Sequence, residues 1–176
     1  MNSNQDIIIT HEPEESGLEK ILNYVSVGYF LLIAYLLQHF LDIRWERLEI
    51  WQADESYKRW SGFILATFMI LQWSLTWVKI VKRWSGQVEL FTSIHKWMGA
   101  LSPIIFYIHA THFGYAYLFF LSTLFFSNIF LAFLNTDQLK LKTEWYINGW
   151  MILHVSVSVL LTLLMFYHGF IAYYYK

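Results

Sequence analysis

The sequence predicts an all-α integral membrane protein, a bundle of five transmembrane helices, and three observations carry that expectation. Hydrophobic residues make up 57% of the chain and charged residues 14%, well short of the roughly 25% charged residues usual in soluble proteins. Aromatic side chains are abundant, with 9 Trp, 12 Tyr and 15 Phe, which suits lipid contact better than a water-facing shell. The charges also fall in clusters, and the stretches between them approach the about 20 apolar residues that a helix needs to cross a bilayer core of about 30 Å.

Residues 1–20 form a polar, acidic tail carrying Glu12, Glu14, Glu15 and Glu19, without the basic start of a cleavable signal peptide. The first apolar run covers residues 21–41 and is long enough to span. Arg44, Glu46, Arg47 and Glu49 then alternate with Trp45, Leu48 and Trp51, a mixture suited to a segment lying on the membrane surface. A second span covers residues 60–78 and is closed by Lys79, Lys82 and Arg83. Residues 97–136 contain no charge, too long a stretch for one crossing and right for two. The turn is expected at His112, Phe113 and Gly114, where glycine and a polar residue interrupt the run. This places a third helix near 91–112 and a fourth near 115–134. After a polar loop, residues 145–175 form a long fifth span. Trp60, Trp77, Trp84, Trp97, Trp145, Tyr146 and Tyr173 gather at the expected ends, as interfacial belts do.

With five spans, Lys20, Lys79, Lys82, Arg83, Lys96, Lys140 and Lys142 lie on the N-terminal side. Arg44, Arg47, Lys58, Arg59 and Lys176 lie on the other. The excess of basic residues favours a cytoplasmic N-terminus. The 176 residues have room for one domain, and a net charge of −1 gives no reason to expect nucleic acid. Cysteine is absent, which excludes disulfides, thiolate metal sites and thiol redox chemistry. Any redox activity therefore needs a bound cofactor.

Six of the seven histidines fall in or at the ends of the expected spans: His39, His95, His109, His112, His154 and His168. Ionisable groups at membrane depth are costly and mark functional positions. His95 and His109 are 14 residues apart on the third helix, and His154 and His168 are 14 apart on the fifth. Fourteen steps of about 100° fall about 40° short of four turns, so each pair shares a face, with a rise of about 21 Å between its members. The third and fifth helices run in the same direction, which sets His95 at the depth of His154 and His109 at the depth of His168. Two levels of facing imidazoles suit two stacked b haems, each iron taking a neutral imidazole on both axial sides. No Cys-x-x-Cys-His is present for covalent attachment. The competing reading is a set of isolated polar groups bonding across helices. A metal-transport path would want acidic partners, and no Asp or Glu lies within the spans.

Small residues at Gly99, Ser102 and Ser158 would let a flat ring approach the backbone, or would serve ordinary helix packing. His112 follows His109 by three residues and is turned about 100° off the shared face, so His109 is the better ligand. His39 and His112 reach the same side of the bilayer and either line an acceptor or quinone site or simply meet water at the interface. Pro103 is expected to kink the third helix, with neighbouring polar groups satisfying the carbonyl it frees. Lys96 and Arg83, near the His95 level, are candidates for pairing with haem propionates or for plain solvated charges.

The two His-x13-His pairs, together with His95-Lys96-Trp97-Met98-Gly99, resemble the ferric reductase-like transmembrane domain over roughly residues 60–172. That superfamily includes the NADPH oxidases, yeast ferric reductases and the haem subunit of bacterial methionine sulfoxide reductase systems. The resemblance implies two b haems bracketed by His95, His109, His154 and His168. Members usually add a sixth helix, which has no counterpart here, and no Gly-rich phosphate loop for flavin or nicotinamide follows a strand in this sequence. The resemblance then implies electrons entering from a separate donor protein or from quinol.

The function expected from the sequence is therefore a di-haem b-type membrane cytochrome relaying electrons between a donor on one side and an acceptor on the other. It would be an electron-transfer subunit rather than a self-sufficient enzyme. A basic rim of Lys79, Lys82, Arg83, Lys140 and Lys142 would attract an acidic donor. The alternatives are a membrane anchor subunit of a larger respiratory or quinone-linked complex, with or without haem, and a cofactor-free scaffold whose histidines only pack.

Overall fold

The computed structural model describes residues 15–135, 139 and 143–174, with side chains from Tyr24 onward, Lys82 excepted. Among the described residues the chain is all-α, without a strand. Its helices are α1 (Glu15–Phe40), α2 (Glu46–Ala53), α3 (Glu55–Gln72), α4 (Ser74–Ile80), α5 (Val88–His109), α6 (Tyr117–Phe133) and α7 (Glu144–Tyr174), with a 3-10 turn at Lys82–Gln87. Helices occupy all five apolar runs, with shifted ends. The first begins at Glu15, inside the expected tail. The second run breaks at Trp73 into α3 and α4. Residues 1–14 and the lysines at 140 and 142 lie outside the described residues. Two stretches, Glu55–Ile80 and Glu144–Tyr174, are long and apolar enough to cross a membrane.

Four helices form a ring: α5 packs on α3, α3 on α7, α7 on α6, and α6 on α5. Helices α5 and α7 thus face each other across its diagonal. A named contact holds each side of the ring. Ser61 of α3 meets His109 of α5 at 3.1 Å, and Trp73 Nε1 donates to Thr162 Oγ1 of α7 at 3.1 Å. Trp150 Nε1 of α7 donates to the Leu131 carbonyl of α6 at 2.7 Å. Phe106 of α5 stacks on Phe125 of α6, with centroids 4.9 Å apart. Helix α1 lies outside the ring along α5.

The main hydrophobic cluster lies where α1, α5 and α6 meet, around Tyr24, Leu32, Tyr35, Ala100, Phe106, Phe126 and Phe133. Gly28 allows this approach, because a Cβ there would collide with the Phe133 ring. Tyr35 stacks on Phe126 at 4.5 Å, and Phe113 stacks on both.

The interior and the C-terminal end of α5 show how local sequence sets the frame. Pro103 lies fully buried inside α5 and cannot donate to the Gly99 carbonyl four residues earlier. Ser102 Oγ donates to that carbonyl at 2.6 Å instead, so α5 runs on to His109. The turn falls at residues 110–116, as glycine suggested, with Gly114 at φ +74°. Carbonyls left open at the end of α5 are capped by side chains. Gln52 Nε2 donates to Tyr107 and Ile108 at 2.9 and 3.1 Å, and Tyr57 Oη donates to Ile108 at 3.0 Å. Helix α2, expected as a surface-lying stretch, is thereby fastened to the end of α5. Asp54 links it to α3, accepting from the Tyr57 amide at 2.8 Å as N-cap.

Candidate haem-binding centre

The ring places α5 and α7 on opposite sides of a common centre, and their histidines meet there in pairs. His95 faces His154 with ring centroids 6.4 Å apart and planes at 88°. His109 faces His168 at 6.5 Å and 72°. All four side chains are half-buried. Within α5, 14 residues of helix separate the two levels by about 21 Å.

These separations allow a test of fit. A ligating imidazole nitrogen lies about 2 Å from its metal and about 1.1 Å from its ring centroid, so two rings sharing one metal stand about 6.2 Å apart, within a few tenths of an ångström of the separations here. Among the described residues, no group of three or more His, Asp or Glu is arranged for a metal ion. Each level offers two facing imidazoles, a donor set that suits a b-type haem.

The α5 imidazoles are held from α3. His95 Nδ1 lies 3.1 Å from the Gln72 carbonyl, which the helix break at Trp73 turns toward α5. His109 Nδ1 lies 3.1 Å from Ser61 Oγ, and Ser61 Oγ donates to the Lys58 carbonyl at 3.2 Å. Nδ1 occupied in this way leaves Nε2 as the nitrogen with a free lone pair. The α7 imidazoles are held by aromatic rings instead. Trp150 stacks on His154 at 5.8 Å with planes 6° apart, and Tyr117 lies 6.4 Å from His168. His154 Nδ1 is buried without a hydrogen-bond partner.

The small residues divide. A Cβ at Gly99, one turn after His95, would meet nothing within 4 Å, so open space adjoins the helix there. Ser102 is buried, and its hydroxyl serves the proline-freed carbonyl. Ser158 lies 2.8 Å from the His154 carbonyl and 3.1 Å from Asn128 Oδ1 of α6, so it too faces a neighbouring helix.

The other expected residues gather at the two ends. His39 and His112 come together at 5.7 Å, with His39 stacked on Phe113 at 4.5 Å. Glu49 of α2 joins them, its Oε1 3.9 Å from His112 Nε2. Nearby Asp42 takes a two-pronged bond from Arg44 at 3.0 to 3.2 Å, which holds its carboxyl below the usual carboxylate range. At the His95 end, Lys96 Nζ lies 5.7 Å over the Tyr24 ring of α1, and Arg83 is exposed in the 3-10 turn.

Sequence reasoning passed over Ser61, Gly62, Gln72, Trp150, Tyr117 and Glu49. Trp150 was open to detection four residues before His154 on one helix face. Ser61-Gly62, a small polar pair in an apolar run, carried the same signal that drew attention to Gly99. The Gln72 carbonyl had none, because a backbone group acts there and only the helix break exposes it. No protein-family model, curated protein or solved structure matches this chain.

Proposed function

We propose that the chain is an integral membrane b-type cytochrome of five transmembrane helices, holding two haems with His95 and His154 on one and His109 and His168 on the other. It would relay electrons across the bilayer between a separate donor, a flavoprotein or quinol, and an acceptor. The observation that carries the reading is the pairing itself: two levels of facing imidazoles, both at the separation of bis-imidazole ligation. The resemblance to the ferric reductase-like domain points the same way.

Membrane placement rests on how little the long apolar helices are covered. Only 11% of the most apolar window is buried in Glu55–Ile80, and 11% in Glu144–Tyr174. Phe30, Phe63, Leu163 and Phe166 are among many large apolar side chains left exposed on the bundle. A soluble core helix buries such a face, whereas lipid covers it here. The excess of basic residues on the N-terminal side orients that end toward the cytoplasm.

Haem held by His95 with His154 and by His109 with His168 would supply one-electron transfer there. The protein's own part is to hold and shield. Gln72 and Ser61 fix the α5 imidazoles, while Trp150 and Tyr117 fix those of α7. The donor meets the end near Lys79 and Arg83. The cluster of His39, His112 and Glu49 faces the acceptor at the other end.

A pyridine haemochrome assay on purified protein, expressed with ample haem supply, tests the proposal. The expected result is b-type haem, non-covalently held, at close to two per chain; a colourless protein ends the reading.

A further inference from the structure

Resting on the ligand assignment above, we propose that Ser61 is a positioning residue that fixes the ligating nitrogen of His109 and sets the electron affinity of that level independently of the other. The Ser61 hydroxyl carries a single proton. Ser61 Oγ donates to the Lys58 carbonyl, 3.2 Å away and one turn earlier on α3. Toward His109 Nδ1, at 3.1 Å, the oxygen can then only accept. With the hydroxyl proton on the Lys58 carbonyl, His109 is protonated on Nδ1, and Nε2 carries the lone pair on the side away from Ser61, as the ligand assignment requires.

Two further observations make this a built contact. Ser61 is 5% exposed, so no bulk water competes for the imidazole N–H. The next residue, Gly62, lies flat against the ring: a Cβ there would stand 3.1 Å from His109 Cε1, tighter than ordinary packing. A side chain at 62 would press the imidazole out of the position Ser61 holds. The two α5 ligands are thus supported differently, His95 by a backbone carbonyl and His109 by a side-chain hydroxyl. Only the second can be removed by substitution.

A hydrogen bond accepted from Nδ1–H makes an imidazole a more electron-rich ligand, which favours the oxidised metal and lowers its potential. Removing it from His109 should raise the potential of that level alone.

The test is redox titration of purified, detergent-solubilised protein as wild type, Ser61→Ala and Ser61→Thr. Components are assigned through His154→Ala, which retains only the His109 and His168 site. In Ser61→Ala the component of that site should shift upward by about 59 mV, a tenfold change in a one-electron equilibrium. Haem affinity there should fall roughly tenfold. The His95 and His154 component should not move and serves as the folding control within the same molecule. Ser61→Thr, which keeps the hydroxyl, should restore the wild-type value. Unchanged potentials in Ser61→Ala, or equal shifts in both components, would show that Ser61 only packs. Absence of haem from the wild type would instead sink the ligand assignment itself.

Discussion

On α5 the paired imidazoles are tied by their Nδ1 atoms to oxygen acceptors on α3, the Gln72 carbonyl and the Ser61 hydroxyl. On α7 the facing imidazoles lie against aromatic rings, Trp150 on His154 and Tyr117 near His168, and His154 Nδ1 has no acceptor. One side is thus oriented by directional bonds that select a tautomer and tune ligand strength. The other is oriented by flat surfaces that restrict ring rotation but leave the proton undirected. The difference teaches that sequence symmetry, 14 residues on each helix, need not imply equivalent ligands.

The largest expected effect tests whether the levels are separate units at all. His95→Ala and His154→Ala should each abolish the same haem, and the double variant should lose little more, because the pair acts together. His109→Ala and His168→Ala should do the same at the other level. His39→Ala and His112→Ala should retain both haems, since these side chains meet each other and Glu49 rather than the central pairs. Haem per chain is the measurement. Loss of haem in His112→Ala with retention in His109→Ala would move the ligand to the turn after α5.

Much of this arrangement was legible because it depends on apolar run length and helical period. Charged clusters set off the apolar runs, Gly114 marked the turn, and a spacing of 14 put each histidine pair on one face. What escaped was what depends on neighbours in space. The break at Trp73 falls within an uncharged run, and no proline or glycine announces it. The bond from Ser102 to the Gly99 carbonyl answers to the missing N–H of Pro103, which spacing from His95 does not reveal. Lys96, a candidate propionate partner or solvated charge, lies over Tyr24 of α1, a helix whose side of α5 the spacing could not assign. The partnership of Ser61 with His109 spans 48 residues and leaves no periodic trace.

An intermediate effect should come from Trp150→Leu. The indole stacks on His154 and is itself anchored by its N–H on the Leu131 carbonyl at 2.7 Å. Leucine removes both surface and anchor, so the His154 ring gains freedom, and haem should dissociate faster from the His95 and His154 level only. Trp150→Phe keeps an aromatic face and loses the bond, worth about 0.5–1.5 kcal/mol. Its haem dissociation rate should lie between those of Trp150→Leu and wild type. Equal rates for Phe and Leu would mean that the anchor, not the ring face, holds His154, and the contrast between the two sides would weaken.

The smallest effect is expected at Tyr117, where the same contrast meets its sharpest test. Its hydroxyl donates to the Leu164 carbonyl at 2.5 Å, and its ring lies 6.4 Å from His168. Leu164 is inside α7, where its carbonyl also has a helical partner, so removing the hydroxyl strands no buried acceptor. Tyr117→Phe should therefore lower stability by only about 0.5–1.5 kcal/mol, the ordinary net value of one hydrogen bond. Because the aromatic face toward His168 survives, haem content and both midpoint potentials should match wild type. Thermal unfolding in detergent, followed through haem absorbance, reads the first quantity, and redox titration reads the second. If Tyr117→Phe instead shifted the potential of the His109 and His168 level as far as Ser61→Ala does, a polar group would be tuning the α7 ligand as well. The division between a hydrogen-bonded side and an aromatic side would then fail at that level, while the pairing of the histidines would stand.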